Sequence, residues 1–344
     1  MNKRKNLHFT IGNIFIPLMG LVLFLITVIV AATVYGIYAV LTTHQTLSPE
    51  FIVETATDNM VGLIYSLIQI ILFAVILYFC RRRGKPYLFT RLPHLLSLPL
   101  LVVVAGGGVG LATLWLNLAR ILGNHFSFWA ANVERYETLI ATLESPERFL
   151  LMVLSTCILV PFAEELLFRG IVLSEFKLCL KPTVAAVMAG ILFGLFHADW
   201  IQSIYAGILG IVLGLVYVWT ESIWASIFMH IVFNLLGGAL STWLKDDVKG
   251  TAIYTIAMYA LLVLSPFALV GLAKLRRKGE TVARGSAVWA AQVAQQEMNG
   301  VGGSGDLHTG STGAGFGSSA ANVTNMTGSE TAAPADQGAT RPIL

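Results

Sequence analysis

Apolar residues fill runs of about twenty positions with almost no charged residue between them, the length a helix needs to cross a bilayer core of about 30 Å. Read along the chain, such runs fall at 14–41, 62–79, 96–118, 149–168, 183–197, 201–219, 223–240 and 252–272. The fifth is short, and only Ala198, Asp199 and Trp200 separate it from the sixth. The pattern predicts an all-α polytopic transmembrane helix bundle of about eight spans. The first run follows Lys3, Arg4 and Lys5, as in a signal peptide, but it is too long for a signal core of roughly 7–15 residues. It reads as a retained span.

Composition agrees with that pattern. Hydrophobic residues make up 56% of the chain and charged residues 12%, and the mean hydropathy is +0.75. Soluble domains carry about 25% charged residues, so this surface must face lipid. The net charge of +3 is too small to suggest nucleic acid. The basic residues instead cluster at alternate ends of the runs: Lys3-Arg4-Lys5, Arg81-Arg82-Arg83 with Lys85 and Arg91, Lys177 and Lys181, and Lys274 with Arg276-Arg277-Lys278. The other connections hold Arg120, Arg135, Arg148, Lys245 and Lys249 among acidic residues. By the positive-inside rule both termini are cytoplasmic, with the plasma membrane as the expected location.

From about Gly300 onward Gly, Ser, Thr and Ala dominate, a composition that cannot offset the entropy of ordering. The expected division is a three-span region at 1–148, a core at 149–243, a last span with its basic flank at 244–284, and a disordered cytoplasmic tail at 285–344. The stretch from Thr281 to Met298 retains a weak helical pattern. Cys80, Cys157 and Cys179 show no CxxC spacing and read as small hydrophobes. The acceptor-like Asn322-Val-Thr and Asn325-Met-Thr would go unused in a cytoplasmic tail.

Ionisable groups inside spans carry a functional hypothesis by default. They concentrate in the fourth run (Glu164, Glu165, Arg169), at the end of the fifth (His197) and in the seventh (His230, with Asn234). Glu165 and Arg169, four apart with the acid N-terminal, are placed to pair, and Glu164 points about 100° away. His230 and Asn234 share a helical face. Asn stays a neutral hydrogen-bond donor at every pH, as an oxyanion partner should, and a buried carboxylate beside a histidine can activate water. Pro161 should kink the helix just before the acids. Asp199, next to His197, could orient the imidazole as outer-shell carboxylates do, although a solvated turn residue is the more ordinary role.

Glu164-Glu165-xxx-Arg169, Phe193-xxx-His197 and His230-xxx-Asn234 occur intact, in order and on separate runs. They resemble the EExxxR, FxxxH and HxxxN/D motifs of the CAAX-protease and bacteriocin-processing (CPBP/Abi) family of intramembrane peptidases, which includes the type II CAAX prenyl endopeptidases. The resemblance spans about 149–240. It implies an endopeptidase cutting a peptide bond at the cytoplasmic side of the membrane, with Glu164 as general base and His197 helping to hold the attacking water. His230 and Asn234 would stabilise the oxyanion, and Glu165 and Arg169 would support the site. Glu164, His197 and His230 would also make a His₂Glu set able to bind one divalent metal such as zinc, and the same residues can act without metal. Both readings stay open. The implied partners are membrane lipid and a peptide or membrane-anchored protein substrate. The rival reading is a non-catalytic immunity or scaffold protein, since buried polar residues also glue helices together.

One count disagrees. At 1.5 Å per residue, Glu164 and His230 lie roughly 8 and 10 Å from the inner ends of their runs, and His197 about 21 Å.

Overall fold

The computed structural model describes residues 10–43, 48–82, 90–143 and 148–301. The chain divides into two compact units, Met1–Ser286, which carries everything discussed below, and Ala287–Leu344. Among the described residues the structure is helical, in the order α1 (Gly12–Thr43), α2 (Pro49–Ala56), α3 (Asn59–Arg82), α4 (Ser97–Gly123), α5 (Ser127–Leu143), α6 (Phe149–Cys179), α7 (Pro182–Phe196), α8 (Trp200–Thr220), α9 (Ile223–Leu244) and α10 (Val248–Val301). Helices α1, α3, α4, α6, α8, α9 and the first part of α10 are long and apolar enough to cross a membrane, and α7 is a shorter apolar helix. The expected all-α membrane bundle is what forms. The stretch at 285–301, assigned to the tail on composition, continues α10. The remaining expected tail, 302–344, lies outside the described residues.

Helices α7 and α8 form an antiparallel hairpin at the centre. Small residues let their backbones touch: a Cβ on Gly190 would collide with the Ile211 backbone nitrogen, and one on Gly194 with the Ser203 carbonyl oxygen. Apolar attraction between helices is weak where the solvent is itself apolar, so this close approach supplies the packing energy. The turn between them is built by Asp199. Its Oδ1 accepts from the backbone N–H groups of Ile201 and Gln202 at 2.9 and 2.8 Å, capping α8. Its Oδ2 pairs with Arg135 of α5 at 2.9 Å. Asp199 is buried, so it is not a solvated turn residue, and its carboxylate is engaged by these donors while the His197 Nδ1 is on the Phe193 carbonyl.

Helix α6 is irregular where the chemistry sits. A short α segment, Val160–Glu165, lies between two π-helical stretches, Val153–Leu159 and Leu166–Val172. Pro161 has no N–H to continue the α pattern, and the Val160 N–H reaches back five residues to the Ser155 carbonyl. The expected kink is thus a wide turn. Such turns recur at functional sites because they rotate the side chains that follow. A third π-helical stretch, Leu235–Leu240, begins immediately after Asn234 in α9.

The two ends of the bundle are tied separately. At one end, Asn13 donates to the Glu175 carboxylate at 2.8 Å, Arg91 pairs with Glu221 at 2.8 Å, and the backbone of Thr90 bridges to Ser222. At the other, Arg148 and Tyr35 share Asp58 (2.7 and 3.1 Å), and Asn59 donates to the Leu143 carbonyl at 3.2 Å.

Candidate active site

Glu165 and Arg169 form the expected pair, with Arg169 Nη1 2.8 Å from Glu165 Oε1, and both side chains are fully buried. Arg169 Nη2 also donates to the Gly210 carbonyl at 3.0 Å, and its guanidinium lies 5.1 Å from the centre of the Phe193 ring. A buried charge persists only when paired and hydrogen-bonded, and this one is held by a carboxylate, a carbonyl and an aromatic face.

His230 stands between the two acids. Its Nδ1 is 3.0 Å from Glu165 Oε1, and its Nε2 is 3.7 Å from Glu164 Oε2. The Glu165 carboxylate, already paired with Arg169, accepts from His230, so Nδ1 carries a proton and Nε2 faces Glu164. The 3.7 Å gap is too long for a direct hydrogen bond and suits an intervening oxygen. Glu164 itself is largely buried at the midpoint of α6.

That midpoint resolves the discrepancy in depth. The fourth run is expected to end near Phe168, but α6 continues to Cys179. Glu164 is therefore about 22 Å from the helix end at 1.5 Å per residue, level with His197 at the far end of α7. His230, counted from Ile223, still comes out shallower, yet it touches Glu165 directly. The ends of α6 and α9 are simply not level.

His197 joins the cluster indirectly. Its Nδ1 lies 2.8 Å from the Phe193 carbonyl; a carbonyl only accepts, so Nδ1 donates and Nε2 is left out of that bond. The His197 and His230 rings both pack edge-on against Phe193, at 4.9 and 5.6 Å between centroids. Among the described residues no hydrogen bond links His197 to Glu164 or His230. Phe193 is thus the hub that spaces both histidines and Arg169. The sequence contains it as the first residue of its motif, but gives no sign of that role.

Asn234 donates from Nδ2 to the Thr156 carbonyl at 2.9 Å, and Thr156 Oγ1 donates to Asn59 Oδ1 at 3.0 Å. Asn59 and Thr156, neither conspicuous in the sequence, fix the orientation of this amide. Its second N–H is unused by that bond, and Asn234 lines a cavity of about 430 Å³ with Thr156, Gln202, Tyr205 and Tyr136.

The His₂Glu metal set does not fit as arranged. No three His, Cys, Asp or Glu side chains among the described residues converge as a metal site requires, and both imidazoles pack against the Phe193 ring.

The three motifs fall within one matched segment. Residues 146–236 match the family model described as Type II CAAX prenyl endopeptidase Rce1-like, a stretch that contains all three motifs. Over this segment the chain is similar to the CAAX-protease and bacteriocin-processing family of membrane peptidases. It is also similar to a protein of Bacillus subtilis (strain 168) named "Putative membrane peptidase YdiL", with 25% identity over 134 residues, which is 37% of this chain and 55% of that protein. The chain spans about half the length of this curated relative. No solved structure matches it significantly.

Proposed function

We propose that this chain is an intramembrane endopeptidase in which Glu164 activates water. The observation that carries the reading is the position of His230, bridging Glu165 at 3.0 Å and Glu164 at 3.7 Å inside the bundle. A helix-gluing role needs paired charges only. It does not need a second carboxylate left facing an imidazole nitrogen across a gap of that size.

Glu164 takes a proton from a water molecule as the water oxygen bonds to the scissile carbonyl carbon. The carbonyl electron pair moves onto oxygen. His230, its Nδ1–H held on Glu165, and the free N–H of Asn234 stabilise that oxyanion. The C–N bond then breaks, and the departing amine takes the proton back from Glu164. His197 presents Nε2 to the incoming water, and Arg169 pairs with Glu165, which holds the His230 ring. The family resemblance made the cytoplasmic side the expected place of cleavage; the position of the cavity favours the opposite face.

The test compares wild type, Glu164→Gln and His197→Ala in the native membrane, quantifying cut and uncut membrane-associated peptides with and without a chelator. The proposal expects the same peptides to persist uncut in both variants at normal expression. Unchanged peptides in both would favour the scaffold reading.

A further inference from the structure

The two ends of the bundle differ in charge, and the cavity belongs to only one of them. The end tied by Asn13–Glu175 and Arg91–Glu221 carries Arg81, Arg82, Arg91, Lys177 and Lys181, with the flanking Arg83 and Lys85 in sequence. Lys177 folds back over the Tyr217 ring at 5.1 Å, which places the α8–α9 turn at this same end. By the positive-inside rule this end is cytoplasmic.

At the other end the basic residues are fewer and mostly matched. Arg120 pairs with Glu137 at 2.8 Å, Arg135 with Asp199 at 2.9 Å and Arg148 with Asp58 at 2.7 Å. Asp246 and Asp247 accompany Lys245 and Lys249.

The cavity of about 430 Å³ runs from the middle of the bundle (Val109, Phe233, Asn234) to this second end, where it is lined by α4 (Thr113, Arg120), α5 (Tyr136, Glu137) and the early turns of α6, α8 and α10 (Thr156, Gln202, Tyr254). The half-exposed Arg120–Glu137 pair forms its rim and Asn234 its floor. Glu164 lies two turns of α6 beyond Thr156. Helix α5 is pinned over this end by Arg135–Asp199, by the Tyr136–Tyr205 hydroxyl pair at 3.1 Å, and by Trp129 edge-on to Trp115 at 5.6 Å. The volume lies in the range of small-molecule clefts and suits a few residues of extended chain, and the lining supplies the hydroxyl and amide groups that a peptide backbone needs.

We propose that the site is served from the face away from the cytoplasm, by a short extended peptide segment of a membrane-anchored chain presented at that face. This deepens the peptidase reading and rests on it. The segment passes beneath α5, pairs its backbone with Thr156, Gln202 and Asn234, and brings its scissile carbonyl to the gap between Glu164 and His230.

The test uses the full chain in cells, with Cys80, Cys157 and Cys179 replaced by Ser. One added cysteine replaces the exposed rim residue Ala141, and a control replaces Arg81 at the other end. A membrane-impermeant maleimide should label Ala141→Cys in intact cells and Arg81→Cys only in inside-out vesicles. Labelled Ala141→Cys should then cut Glu164-dependent peptides at least tenfold more slowly than unlabelled protein. Labelling of Ala141→Cys only in inside-out vesicles would overturn the proposal, as would undiminished Glu164-dependent cleavage after labelling from outside. If Glu164→Gln cleaves like wild type, the peptidase reading fails on its own, while the labelling still decides which face the cavity meets.

Discussion

Helices α1 and α8 are both apolar, yet they are built on different rules. In its most hydrophobic stretch α1 buries 22% of its residues, whereas α8 buries 50%. The buried positions of α1 include Asn13, Pro17 and Gly20, and the exposed ones are Ile, Leu, Val and Phe facing outward. In α8 the buried set includes Gly210, Leu213, Gly214 and Tyr217; Gly210 packs on Gly190 and Phe193 and accepts from Arg169, and Gly214 packs on Ala186. A peripheral span is selected for contact with lipid, and many apolar residues satisfy it. A central span is selected for close approach and for holding charge, which few residues can do.

That contrast is broken most severely by removing one buried charge. Arg169→Met leaves the buried Glu165 without its ion-pair partner, and should cost about 3–5 kcal/mol in a membrane unfolding assay. The double variant Glu165→Leu/Arg169→Met should recover most of that stability without recovering cleavage. Asn234→Ala removes a proposed oxyanion donor and should lower the cleavage rate about 10²–10³-fold with little change in stability. Overpacking the central seam with Gly194→Val should cost about 1–3 kcal/mol, while Leu25→Ala on the lipid-facing side of α1 should leave the unfolding midpoint unchanged. Arg135→Ala should cost under about 1 kcal/mol, because Arg135 is half-exposed and Asp199 keeps its capping bonds.

The same contrast explains what the sequence could reveal. Span positions were legible because lipid exposure writes a long apolar run. The Glu165–Arg169 pair was legible because i,i+4 spacing fixes a face, and Glu164 turned away from it as helical geometry requires. The extent of α6 was not legible: Arg169 and Glu175 look like the end of a span until Gly210, Phe193 and Asn13 are seen to bury them. Nor was the part played by Phe193, since an aromatic residue on an apolar helix carries no local mark of what it spaces. Asp199 looked like a turn residue because its partner, Arg135, lies 64 positions away. The π-helical turns beside Glu164 and Asn234 follow from tertiary packing, beyond what Pro161 alone announces.

The central claim is that Glu164 and His230 act as one unit on water, and a double-mutant cycle on cleavage rate tests it most directly. Glu164→Gln, His230→Ala and the double variant would be compared with wild type in reconstituted membranes, at matched amounts of folded protein. Residues that work as a unit lose nearly everything at the first substitution. The account predicts that each single variant falls by about 10²–10⁴-fold and that the double variant is no slower than the slower single one. Single losses that simply multiply in the double variant, or a Glu164→Gln protein as active as wild type, would contradict it.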